Sequence, residues 1–68
     1  MTLALILNGE PRSLEGVKTV AELVAALGLD ARKVAVERNL EIIPRSAYGQ
    51  AALASGDRVE IVHFIGGG

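Results

Sequence analysis

Apolar residues come in short runs separated by turn signals, and their spacing changes along the chain. Leu3-Ala4-Leu5-Ile6-Leu7 is apolar at every position, which reads as a strand with two apolar faces. At a period of two, Leu3, Leu5 and Leu7 share one face and Ala4 and Ile6 the other. Asn8-Gly9 follows, a strong hairpin signal because a type I′ turn needs positive φ at both central residues. A second strand around Arg12 to Leu14 would return antiparallel, and Pro11 confines it to a sheet edge.

The period then lengthens. Val20, Leu23, Val24 and Leu27 fall at i, i+3, i+4 and i+7, one apolar stripe of an amphipathic helix. Thr19-Val20-Ala21-Glu22 fits a capping box, in which hydroxyl and carboxylate satisfy two orphan amides reciprocally. Gly28 stands where a left-handed residue ends a helix, and Leu29 can supply the accompanying apolar contact.

Val34-Ala35-Val36-Glu37 predicts a third strand with Val34 and Val36 facing inward. Arg38 to Glu41 is a turn, and Ile42-Ile43 starts a short fourth strand that Pro44 ends. Residues 45–54 read as a loop with a helical turn, anchored by Tyr48 and Leu53. Ser55-Gly56-Asp57 turns into a last strand, Arg58 to Ile65. Val59 and Ile61 alternate there with Arg58 and Glu60; Val62 and Phe64 then make the other face apolar too. The alternation groups His63 with Val59 and Ile61, which predicts partial burial.

Strands apolar on both faces belong at the centre of a sheet. Setting the first and last strands side by side, with the helix across one face, gives a β-grasp. The predicted class is therefore α+β, a ubiquitin-like mixed sheet of four to five strands with one main helix. Residues 1–65 form the domain and 66–68 a flexible glycine tail. On this arrangement Ala4, Ile6, Val62 and Phe64 cluster on the face the helix leaves bare. Such a patch on so small a protein predicts a partner surface.

Composition narrows the chemistry. Sixty-eight residues make one small domain, and 50% apolar content against 22% charge excludes a disordered chain. With no cysteine and one histidine, there is no thiol nucleophile, disulfide framework or Cys/His-rich metal site. The net charge is −1, so no broad attraction draws nucleic acid or an anionic membrane. Two aromatics, Tyr48 and Phe64, do not make a base-stacking platform. No basic n-region precedes the N-terminal apolar run, which is shorter than a signal or membrane segment needs. The expectation is a soluble cytoplasmic protein that binds no cofactor.

No catalytic constellation emerges. His63 has no identifiable nucleophile partner. Glu37 with Glu41, and Asp57 with Glu60, read as solubilising charges beside turns. Lys18, Arg32 and Lys33 read as a solvated edge; the alternative is that they, with Arg45 and Arg58, contact an acidic partner.

Gly66, Gly67 and Gly68 remain. A tag remnant or a frayed end would explain them plainly, yet the strand runs into them without any tag-like residue. Glycine has no Cβ, so such a segment can thread a narrow channel into another protein's active site. Three extended residues reach ~10 Å, and the reactive group at the tip is the α-carboxylate of Gly68.

Several stretches together resemble the sulfur carrier proteins of thiamin biosynthesis, the ThiS family. They are Val34-Ala35-Val36 with Asn39, Ile43-Pro44-Arg45-Ser46, Ser55 to Val62, and Ile65-Gly66-Gly67-Gly68. The resemblance covers essentially the whole chain. It departs at Leu40, where the family often has glycine after the asparagine, which argues against a type I′ turn there. Tyr48 stands where the family has an aromatic, often Trp.

The resemblance implies a cosubstrate, not an enzyme. An E1-like adenylyltransferase, similar to ThiF, would use ATP to adenylate Gly68. Sulfur from a cysteine desulfurase route would convert the adenylate to a thiocarboxylate, and a ThiG-like thiazole synthase would accept that sulfur. Gly66 and Gly67 would thread into the partners, with Ala4, Ile6, Val62 and Phe64 as the docking patch. The alternatives are a carrier for molybdopterin or another sulfur pathway, and a ubiquitin-like module whose contacts are non-covalent.

Overall fold

A computed structural model describes residues 2–64. The strands are β1 (Thr2–Leu7), β2 (Glu10–Glu15), β3 (Val34–Arg38), β4 (Glu41–Ile43) and β5 (Arg58–His63), with one helix, α1 (Val20–Ala26). They form a mixed sheet in the order β2-β1-β5-β3-β4. β5 is central, parallel to β1 and antiparallel to β3. The expected β-grasp is the architecture found.

The hairpin between β1 and β2 turns at Asn8 (φ 49°) and Gly9 (φ 83°), both positive as a I′ turn demands. Pro11 pairs with Ile6 on the outermost strand, where a missing N–H costs no ladder bond on the solvent side.

α1 has seven residues, too few to persist alone in water, so its ends and buried face hold it. The Glu22 N–H donates to Thr19 Oγ1 (3.2 Å), and Glu22 Oε1 accepts from the Thr19 and Lys18 N–H groups (3.1 and 2.8 Å). At the other end Gly28, φ 73°, donates to the Ala25 carbonyl while Leu29 N–H donates to that of Val24. That pair of bonds is a Schellman motif. Val20, Leu23 and Val24 are buried against Leu3, Leu5, Leu7, Val34, Val36 and Val59 from the sheet. Each such side chain contributes ~1.5–3 kcal/mol by leaving water.

Pro44 ends β4, and a 3-10 turn over Arg45–Ala47 leads to Tyr48. Its ring is buried, and its hydroxyl donates to the Val34 carbonyl at 3.3 Å, tying the long loop to β3. A second 3-10 turn, Ala31–Lys33, is capped by Asp30. Hydrogen bonds from the Arg32 side chain and backbone hold the Asp30 carboxyl down at about 2.

Three expectations are corrected. Leu40 does take a positive φ, 71°, after Asn39 at 51°, so the turn between β3 and β4 carries the I′ signature despite lacking glycine. Asn39 makes this possible by bonding Asp57 and Arg58 across the sheet. Second, His63 is exposed. It follows the face of Val59 and Ile61 but lies beyond the tip of the β1–β2 hairpin, so no strand flanks it on that side. Third, the described strand ends at His63; Ile65 lies outside the described residues.

Leu40 yields a stability prediction. A left-handed conformation costs a non-glycine residue ~1–2 kcal/mol, and an 82% exposed leucine recovers little of that by packing. Leu40→Gly should therefore stabilise the fold by ~0.5–1 kcal/mol after glycine's larger unfolded-state entropy. A thermal melt should show Tm rising by ~2–8 °C. A lower Tm would mean that Leu40 packs in the folded state.

Candidate functional site

Gly66, Gly67 and Gly68 lie outside the described residues, so the site is built from the strand that leads to them. β5 starts at a rigid corner. The Ala54 N–H donates to Asp57 Oδ2 (2.9 Å), and Asn39 Nδ2 donates to Asp57 Oδ1 (3.1 Å). Asn39 also exchanges bonds with Arg58: its N–H donates to the Arg58 carbonyl (2.7 Å) and its Oδ1 accepts from the Arg58 N–H (2.9 Å). Asp57, read from sequence as a solubilising charge, is thus a structural hub. β5 then runs along β3 to His63, and the Phe64 N–H donates to the Lys33 carbonyl at 2.8 Å. The chain is thus held at the middle of the sheet as far as Phe64.

The predicted patch does not form as one cluster. All of Ala4, Ile6 and Val62 lie on the outer face, but the parallel register sets Ile6 beside Arg58. The Gly56 N–H donates to the Ala4 carbonyl. Val62 therefore stands four residues further along β5 than Ile6's neighbour, ~13 Å at strand rise, and pairs with Ala35 on β3. Ala4 and Ile6 lie toward one end of the face, Val62 and Phe64 toward the other, where the tail begins.

Val62 instead shares a shallow cleft of about 120 Å³ with Ala35, Ile42, Glu37 and Glu60. Val62 and Phe64 are 60% and 47% exposed, and Ile42, which sequence reasoning left out, is 76% exposed. Its signal was available: Ile42 and Ile43 are adjacent in one strand, so one of them must face out. A larger open groove, about 460 Å³ between Thr2, Leu3, Val17 and Leu53, lies at the opposite end of the sheet.

Among the charged candidates, Arg32 is engaged with Asp30 through a 2.9 Å ion pair. Arg45 donates to the Arg32 carbonyl (3.1 Å), and Arg38 to that of Ala52 (2.6 Å). These guanidiniums brace loops. Among the described residues, no three His, Asp or Glu side chains are placed to hold a metal ion. No helix there is long and apolar enough to cross a membrane.

Comparison with known proteins gives a consistent result. A family model described as the ThiS family matches residues 5–68. The chain is 56% identical over 66 residues to a thiazole synthase of Paramagnetospirillum magneticum, covering 97% of this chain and 20% of that protein. It is 46% identical over 50 residues to the sulfur carrier protein ThiS of Bacillus subtilis, covering 74% and 76% of the two chains. The crystal structure of the thiamine biosynthesis protein (ThiS) from Geobacter metallireducens superposes with a TM-score of 0.81 at 38% identity. That match covers 97% of this chain and all of the other. The chain thus spans about a fifth of the thiazole synthase it matches.

Proposed function

This chain belongs to the ThiS family, and from that premise we propose that it carries sulfur for building the thiazole ring of thiamin. Its working group is the Gly68 α-carboxylate. At a pKa near ~3.5 that group is ionised and a poor electrophile. An E1-like adenylyltransferase joins one carboxylate oxygen to the α-phosphorus of ATP and releases pyrophosphate. The acyl carbon then bears AMP as a leaving group, which the outer sulfur of a persulfide from a cysteine desulfurase route displaces. A thiol cleaves the acyl disulfide so formed, releasing the thiocarboxylate and ending in a disulfide itself. The resulting thiocarboxylate is a tethered nucleophile that a thiazole synthase can use without free sulfide. The partners supply catalysis; this chain supplies docking and delivery.

The observation that carries the reading is the placement of β5. It is the central strand of the sheet, and after two further residues the sequence reads Gly66, Gly67 and Gly68. Similarity to part of a thiazole synthase supports that enzyme as the acceptor. The test is reconstitution with labelled sulfur, the activating enzyme, the desulfurase and a thiazole synthase. Label should enter the thiazole product only when this chain is present. Equal labelling without it would refute the proposal.

Docking falls to the apolar surface beside the tail. Val62→Asp places a charge on an exposed position, so the fold should persist while affinity for the activating enzyme drops. A change of about tenfold, ~1.4 kcal/mol, is expected by calorimetric titration. Phe64→Asp should act likewise, and Ile6→Asp, at the other end of the face, less. Unchanged affinity in both tail-side variants would remove this surface from the account.

A further inference from the structure

Backbone pairing between β1 and β5 ends where the Asn8 N–H donates to the Val59 carbonyl at 2.9 Å. β5 continues for four more residues to His63. Beyond the end of β1, a side chain takes over the role of a strand. Asn8 Oδ1 accepts from the Ile61 N–H at 2.8 Å, and Asn8 Nδ2 donates to the Ile61 carbonyl at 3.3 Å. A carboxamide has the donor and acceptor of a peptide group, so it satisfies both groups that Ile61 turns toward this edge. Ile61 has no backbone partner of its own on that side among the described residues. Asn8 reaches it because it sits at φ 49° in the hairpin turn.

On the opposite edge Asn39, also at the first position of a hairpin turn, grips the strand at Arg58. The two asparagines hold β5 from both sides at different heights. Asn39 braces its entry, and Asn8 braces Ile61 on the edge that β1 leaves open, while β3 pairs the other edge as far as His63.

We propose that Asn8 is a positioning residue for the glycine tail, holding the end of β5 so that Gly68 meets the reacting group of the activating enzyme. This rests on the sulfur-carrier reading. The seven residues that follow Ile61 reach ~25 Å at most, so the anchoring of β5 at Ile61 bounds where the carboxylate can go. Small misplacements of a reacting atom cost far more rate than affinity.

Two substitutions test it. Asn8→Gly keeps a residue at ease with positive φ and removes the carboxamide; Asn8→Asp keeps the acceptor for the Ile61 N–H and loses the donor. Amide hydrogen exchange reads the clamp, and ATP-dependent pyrophosphate release with the activating enzyme reads its consequence. In Asn8→Gly the Ile61 amide should exchange at least about tenfold faster while the Val36 amide is unchanged. The kcat for pyrophosphate release should fall about fivefold or more, with the half-saturating carrier concentration within about twofold. Asn8→Asp should lie between Asn8→Gly and the parent in both readouts.

Faster exchange at Ile61 with an unchanged kcat overturns the proposal, since the clamp would then be structural only. Unchanged exchange at Ile61 overturns it as well, and so does a raised half-saturating concentration at constant kcat, which would assign Asn8 to docking. If the parent chain releases no pyrophosphate with an enzyme active on another carrier, the sulfur-carrier reading fails and takes this proposal with it. The exchange data would still report whether the clamp exists.

Discussion

Leu23→Ala should remove ~3–4 kcal/mol of stability, among the larger losses available to a single side chain here. Leu23 is fully buried in α1, within a core that also holds Val20, Val24, Leu5 and Val59. Truncation forfeits the transfer energy of the lost methyl groups and leaves a cavity that the sheet beneath cannot close. At ~0.05–0.15 kcal/mol per residue, a 68-residue domain has ~3–10 kcal/mol in total. The variant should melt ~12–30 °C below the parent, as a thermal scan by circular dichroism will register. Leu27→Ala, on the same stripe but half-buried, should cost visibly less. Equal losses at both positions would mean that α1 is not anchored through Leu23.

Deleting Gly68 should leave that melting curve where it was and abolish function. Among the described residues the buried core lies between Leu3 and Val59, and a glycine has no side chain to contribute to it. It also leaves a chain that still ends in a carboxylate, on Gly67. If a carboxylate sufficed, the shortened chain would still be activated. Adenylation instead requires the oxygen to reach the α-phosphorus at bonding distance, and one residue fewer shortens the reach by ~3.3–3.6 Å. An effective molarity that depends on ångström-scale placement does not survive that loss. Pyrophosphate release should fall to background while affinity for the activating enzyme stays near that of the parent. Retained turnover would move the chemistry away from the tip.

What could be read from sequence was mostly local. Asn8-Gly9, the Thr19–Glu22 box and the Gly28 stop each need only a few adjacent residues, and each forms as expected. The Asn39-Leu40 turn resisted the same logic because its stabilisation is not local. Asn39 draws on Asp57 and Arg58, eighteen and nineteen positions away, and these offset a strained leucine.

Face assignment by period two succeeded in β1: Leu3, Leu5 and Leu7 are buried and Ala4 is exposed. Grouping along a face did not succeed. The stagger of two parallel strands is set by the tertiary fold, so Ala4 and Ile6 were joined to Val62 and Phe64 across a gap that register alone reveals. The role of Asn8 toward Ile61 was hidden for the same reason, being a contact over 53 positions. The run Gly66-Gly67-Gly68 stands out in the sequence itself, as an unusual composition following an apolar strand.

The central claim is that the chemistry resides on the Gly68 carboxylate. It is tested most directly by fragment mass spectrometry of the chain after incubation with ATP, the activating enzyme and a sulfur source. The account predicts exchange of one oxygen for sulfur, located on the fragment ending in Gly68 and absent when ATP is withheld. Modification at any other residue would contradict it, as would an unmodified Gly68 under conditions in which the enzyme converts another carrier.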